Sequence, residues 1–404
     1  MIVKKTKMQS DHDKNALILT ENEKSKWWHK YRIMVIGIIL MIVLIISIVN
    51  LSLLLTFIFS TSKNKEITIQ TPQWSWVNTR NMTDGRQFHT ASVLTNEKVL
   101  VAGGFNQGPL DTAELYDPWT ETWTTTGRMN FARYKHTASL LTNGKVLFTG
   151  GNNGNHALSS TELYDPSTET WITVSDMRNR RIGHTASVLI NGKVLITGGN
   201  NDTHYLSSTE LYDPSTDTWT MAGYMTDGRV GHTATLLTNG KILVTGGHNT
   251  RVLNRAELYD PTTGIWTTVG NLKTARHSHS ASRLVDGRVL VTGGLNRDAL
   301  NTAEIYDPST ETWSNTNSMH SARWYSTASV LSNGKVLITG GSNDEILSTV
   351  ELYDPSTQNW SIIDNMNNAR YSHTASVLAN QKILITGGQT RGTILSTAEL
   401  YSTF

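Results

Sequence analysis

Three sets of ionisable side chains recur in this chain at a fixed interval, and they have the means to do chemistry. Arg86, Arg133, Arg181, Arg229, Arg276, Arg323 and Arg370 form the first set, and Glu114, Glu162, Glu210, Glu257, Glu304, Glu351 and Glu399 the second. His89, His136, His184, His232, His279 and His373 form the third, with Ser326 standing where a seventh histidine would fall. A guanidinium can clamp an anion, a carboxylate can act as general acid or base, and an imidazole can move protons or ligate a metal. Catalysis needs such a group once or twice, in an environment that perturbs it. Equal presence at every interval predicts architecture instead, with the glutamates partly buried and paired and the histidines part of a hydrogen-bonded scaffold. A metal site would require its ligands to converge within about 2 Å of one ion, which an evenly repeated imidazole does not predict. Cysteine is absent, excluding disulfides, thiolate metal sites and thiol nucleophiles. No Gly-x-Ser-x-Gly, Walker or His-Glu-x-x-His pattern occurs either. The expectation is a protein with no cofactor, no metal and no catalysis.

The interval belongs to a repeat. Glycine pairs begin at Gly103, Gly150, Gly198, Gly246, Gly293, Gly340 and Gly387, giving seven units with a period of 47 or 48 residues. That period is too long for tetratricopeptide or ankyrin helix pairs and suits one four-stranded propeller blade. Within a unit, a His-Thr-Ala-Ser-Val-Leu strand meets a Lys-Val-Leu-Ile-Thr strand through a tight turn such as Asn191-Gly192 or Asn239-Gly240, dipeptides that tolerate a type I′ turn. A third strand carries Glu-Leu-Tyr and ends at Asp-Pro, and a fourth carries a Trp seven residues after that Tyr. The Gly pair predicts close backbone approach near the axis, and the Trp predicts an apolar surface for the next blade. Blades bury their faces only against neighbours, so the units predict one domain. Removing the first 66 residues leaves 25 basic against 28 acidic side chains, a balance that excludes a nucleic-acid partner.

The Gly-Gly pair, the Tyr and the Trp, in this order and over residues 74 to 404, resemble kelch repeats. The resemblance implies an all-β, seven-bladed kelch-type β-propeller whose ring is closed by both chain ends. The seventh unit starts at Met366 and stops at Phe404 before any Trp, while Trp76 lies six residues before Met82, as Trp123 does before Met129. An orphan fourth strand at the N-terminal end of the domain therefore predicts a two-ended blade, which removes exposed edges. Galactose-oxidase-like copper enzymes share the kelch-type propeller, but their cofactor joins a Cys to a Tyr, and this chain has no Cys. The sialidase box has only a partial match at Asp260-Pro-Thr-Thr-Gly-Ile-Trp266, which is the local version of the kelch turn.

Function is expected where the units differ. After the Gly pairs come Phe105-Asn106-Gln107, Asn200 to His204, His248 to Arg251, Leu295 to Asp298 and Ser342 to Glu345, loops between the second and third strands. Just after the repeated arginines, ring-bearing residues concentrate: Phe88, Tyr134, His277, Trp324, Tyr325 and Tyr371. These six, with the adjoining Arg133, Arg276, Arg323 and Arg370, are the candidate binding residues for an unknown protein or glycan, since rings beside arginine are enriched in binding hot spots. The rival expectations are a propeller enzyme with an unrecognised axial site and a cytosol-facing kelch adaptor.

The N-terminal fifth reads differently. Residues 1 to 32 carry eight Lys/Arg against four Asp/Glu without hydrophobic periodicity and are expected to be a disordered tail, too short for a BTB-like domain. Residues 33 to 59 are 27 consecutive uncharged positions, longer than the roughly 30 Å hydrocarbon thickness requires, so a transmembrane helix in contact with the lipid bilayer is expected. A secretory leader has a shorter apolar run. Lys24, Lys26, Lys30 and Arg32 on its N-terminal flank outnumber Lys63 and Lys65 on the other, predicting a single-pass protein with a cytoplasmic N-terminus and an extracytoplasmic propeller. Trp27, Trp28 and Tyr31 fit an interfacial aromatic belt, and residues 60 to 73 a short linker. Sequons start at Asn81, Asn201 and Asn359.

Overall fold

A computed structural model describes residues 21–62 and 75–402. The chain divides into two compact units, Met1–Thr71 and Pro72–Phe404. In the first, a single helix runs from Glu21–Ser62, and its Ser25–Leu54 stretch is long and apolar enough to cross a membrane. The helix includes positions 21 to 32, so that part of the expected disordered tail is corrected. An apolar helix already nucleated over the following residues extends at little cost into Glu- and Lys-rich sequence, because propagation adds one hydrogen bond per residue fixed. Trp27 and Tyr31, one turn apart, stack with centroids 5.6 Å apart, and Trp28 meets Tyr31 edge-on at 5.9 Å. Residues 1 to 20 of the expected tail and 63 to 73 of the expected linker lie outside the described residues.

The second unit holds seven four-stranded antiparallel sheets. The third blade shows how sequence makes them. Its inner strand Thr185–Val188 turns through Asn191-Gly192 into Val194–Thr197, with Gly192 at φ 80° and the Asn191 Oδ1 accepting the Lys193 N–H at 3.1 Å. The second strand, rich in β-branched residues, is buried along its whole length, as a strand covered on both faces must be. Ser208–Asp213 and Thr218–Tyr224 complete the sheet, with Tyr212 opposite Trp219 and their rings 5.0 Å apart. The Trp219 Nε1–H donates to the Ser175 carbonyl at 2.7 Å, and the ring joins a core containing Leu141 and Leu147. Each such tryptophan therefore seals the seam with the preceding blade, the reverse of the direction expected from sequence. The indole of Trp219 needs an acceptor for its N–H, and the Ser175 carbonyl that follows the preceding blade's outer strand supplies it.

The seventh sheet takes its outer strand from the other end of the domain. Ser75–Asn78 pairs antiparallel with Ala398–Ser402, placing Trp76 opposite Tyr401. The inner strands of neighbouring blades pack side by side around the axis, first against seventh as well as each against the next. At the outer end of each second strand the Gly pair lets the next blade approach. The first glycines have φ between 57° and 65°, and a Cβ on Gly198 would fall 2.7 Å from the Arg229 carbonyl oxygen. No other residue fits there without moving backbone.

Candidate functional site

The repeated ionisable residues form closed networks. Arg181 donates through Nη1 to the Gly198 and Ser208 carbonyls at 2.7 and 2.8 Å, and through Nη2 to Glu210 Oε1 at 2.8 Å. Glu210 also accepts the Arg178 and Asn179 N–H groups at 2.7 and 3.1 Å. The arrangement recurs in every blade, including the Arg229 and Glu257 pair, and all seven arginines are 0% exposed. Arg133, Arg276, Arg323 and Arg370 are therefore removed from the candidate binding set. Their guanidinium groups point inward to carbonyls and a carboxylate and present no exposed surface to a ligand. Burial lowers the arginine pKa values against the pull of the paired glutamates. At Glu351 burial opposes ionisation, but the His320 N–H and Arg323 outweigh it and lower its pKa.

The histidines fasten neighbouring inner strands. His184 Nε2 lies 3.0 and 3.1 Å from the Thr137 and Thr149 hydroxyls of the preceding blade, and His89 makes the same contacts with Thr374 and Thr386 across the closing seam. Burial, followed by the adjacent arginine, holds His184 far below its ordinary value, at about 3, so these rings are neutral. Among the described residues no three His, Cys, Asp or Glu side chains are arranged to hold a metal ion.

Two residues beyond each arginine, the chain makes a second ring. Phe88, Lys135, Gly183, Gly231, Ser278, Tyr325 and Ser372 all have φ between 50° and 64°. The Lys135 N–H donates to the Phe88 carbonyl at 3.0 Å, Tyr325 to Ser278 at 3.1 Å, and Phe88 to Ser372 at 3.2 Å. The left-handed backbone turns each N–H toward the neighbouring blade and aims the side chain at the axial mouth. For Phe, Lys, Ser and Tyr that conformation is strained and is held by the surrounding ring.

The side chains on this frame are unequal. Phe88 meets Tyr325 edge-on at 5.7 Å, Trp324 lies 4.7 Å from Tyr325, and Tyr371 stacks on Tyr325 at 6.5 Å. Lys135 Nζ sits 4.5 Å over the Phe88 ring, and no carboxylate pairs with it among the described residues. Across the axis Gly183 and Gly231 contribute no side chain, leaving a cavity of about 350 Å³ bounded by Phe88, Lys135, Val230, His248 and Tyr325 and floored by the histidines. Four of the six sequence-selected rings thus form one cluster: Phe88, Trp324, Tyr325 and Tyr371. Tyr134 packs on Phe105 at 5.3 Å, and His277 on His248 at 4.5 Å, apart from that cluster. Burial, then His248, pushes the His277 pKa down to about 4.

Sequence reasoning passed over Lys135 as a site residue and named Phe105 and His248 only as members of variable loops. The signal for His248 and Phe105 was their place directly after a Gly pair. That position bridges to the residue following the arginine, Val230 with His248 and Gln87 with Phe105, so residues from the two variable segments become neighbours.

A profile of the KLHDC2/KLHL20/DRC7 kelch-repeats domain matches residues 183–388, about half of the chain, and one of the attractin/LZTR1 β-propeller matches residues 56–201. No curated protein matches the chain significantly. Among solved structures, a fungal alcohol oxidase of the AA5 family, in complex with copper, superposes with a TM-score of 0.67 at 18% identity, over 83% of this chain and 77% of its own. At that identity the likeness concerns the fold alone. Seven four-stranded sheets, the repeated Gly-Gly, Tyr and Trp, and a kelch profile over half its length establish that the chain belongs to the kelch-repeat β-propeller family.

Proposed function

We propose that the protein is a membrane-anchored binding module, not an enzyme, engaging a protein or glycan through the face that carries Phe88, Trp324, Tyr325 and Tyr371. The observation that carries this reading is the joining of four half-buried rings and one carboxylate-free lysine at the axial mouth. Rings clustered at the centre of a face supply large contact area at low entropic cost, and surrounding loops exclude water. Residues 33 to 59 anchor the chain, with the basic flank in the cytoplasm and the propeller outside. External protease should digest the propeller of intact cells and spare an N-terminal tag. The reverse pattern would favour a cytosol-facing adaptor. Changing Trp324 and Tyr371 together to Ala should lower capture of a ligand by the full-length protein by about tenfold or more while stability changes by about 1 kcal/mol or less. Equal capture by wild type and variant would reject the site.

A catalytic reading has a precedent only in fold, since the copper-bound oxidase is built on a similar propeller. A Cys-Tyr copper site does not fit this chain, which has no cysteine, and its axial histidines are each committed to threonine hydroxyls. Turnover of an alcohol by the copper-supplemented protein, lost on changing Tyr325, would promote that alternative.

A further inference from the structure

We propose that the seam between the fifth and sixth blades contains a notch fitted to a neutral azole ring of imidazole size, opening into the axial mouth. Six seams of the propeller each hold one imidazole from the following blade, set between two threonines of the preceding one in five seams and, for His136, against Thr90 alone, where Ala102 takes the second position. Each ring supplies hydrogen bonding to those hydroxyls and fills the space beside a glycine. At the remaining seam the ring is missing, because Ser326 occupies the histidine position.

Three observations describe what the missing ring leaves behind. The Thr292 hydroxyl, 1% exposed, has no hydrogen-bond partner, whereas its counterparts Thr149, Thr197, Thr245, Thr339 and Thr386 all reach a histidine. Ser280, the inner-strand counterpart of those bridging threonines, donates instead to the Ser326 carbonyl at 2.8 Å. A Cβ built on Gly293 meets the Arg323 carbonyl and the Met319 methyl but no ring carbon, while at the six other first glycines a histidine Cε1 lies 2.7 to 2.9 Å away. A buried hydroxyl without a partner is costly, and a ligand that supplies one recovers that cost.

The repeat itself defines the shape and chemistry of the missing group. Six copies of the same backbone frame accept a flat five-membered ring, and in five of them its Nε2 faces a pair of threonine hydroxyls, the positions held at this seam by Ser280 and Thr292. The ring must be neutral, since the site is walled by the buried Arg323 and the six resident imidazoles are themselves held uncharged. Access exists from the mouth, because Ser326 and Tyr325 both line the axial cavity. The inference does not depend on the aromatic cluster being a ligand surface, as it uses only the seam.

The test is a titration of the full-length protein in detergent with imidazole at about pH 8.5, well above an ordinary histidine pKa of about 6.5. Ligand-observed NMR and thermal unfolding read the binding. Wild type should show one saturable site and a rise in Tm. Ser326→His should abolish both responses while raising the Tm of the free protein, because it restores the seventh ring. Ser326→Ala keeps the notch and should bind as wild type does. Thr292→Val removes the polar partner and should weaken binding at least fivefold. A second arm with N-acetylhistidine amide distinguishes a free azole from a histidine side chain presented by a peptide. No saturable binding by wild type or Ser326→Ala, or an undiminished response in Ser326→His, would overturn the proposal.

Discussion

Trp76 and Tyr401, from opposite ends of the propeller, face each other across the closing sheet with ring centroids 4.9 Å apart, and the Trp76 Nε1–H donates to the Asp364 carbonyl at 2.8 Å. The pair repeats the geometry of Tyr212 and Trp219 within a continuous blade. Closure by this pair removes an open edge that would otherwise template association. Trp76→Ala should therefore destabilise the propeller by about 3 kcal/mol, the cost of deleting a large ring from a packed seam. Urea unfolding checks this, with Trp219→Ala as reference. A midpoint unchanged from wild type would mean that the seam does not hold the ring shut.

The arginine and glutamate networks make a second prediction. Glu210→Gln should cost about 3 to 5 kcal/mol, because it leaves the Arg181 guanidinium buried without a countercharge. The same change should leave ligand capture by the folded fraction unaltered. Loss of capture at full stability would return the arginines to the binding set.

Acid should unfold the protein through its histidines. Burial and then arginine hold His184, His279 and His373 at about 3, against about 6.5 in the unfolded chain. The unfolded state therefore binds more protons between these values, so stability is complete above about pH 6.5 and falls as pH drops toward 3. Each such ring contributes up to about 1.4 kcal/mol per pH unit. Between about pH 6.5 and 5 the carboxylates remain ionised, and the histidines alone set the slope. His184→Gln should reduce that slope by about one proton. A slope unchanged by the substitution would show that His184 is not buried neutral.

Backbone strain at the axial ring gives the last prediction. Ser372 has φ 54°, and its hydroxyl is buried without a partner. Ser372→Gly should stabilise by about 1 kcal/mol by relieving the left-handed conformation, whereas Ser372→Val should destabilise by more than that. Denaturant midpoints of the two variants, moving in opposite directions from wild type, would establish the strain.

The repeat period, the Asn-Gly turns and the Gly pairs determine blades from sequence alone, because each is a local requirement of strand pairing or backbone approach. The Trp at position 76, one strand ahead of the first complete unit, makes closure legible as well, since it marks a fourth strand with no first three beside it in sequence. Tertiary structure decided what local chemistry cannot express. Arg133 and Trp324 occupy adjoining positions of the repeat and are both candidate binding residues by sequence, yet one is sealed in an ion pair and the other packs half-buried beside Tyr325. Burial depends on which carbonyls a neighbouring strand presents, not on residue type. Likewise Phe88 and Tyr325 are separated by five whole units in sequence and meet only because the ring closes and a left-handed residue in each blade turns inward. Which rings touch is set by their angular position around the axis, a quantity that exists only once the seven blades are joined.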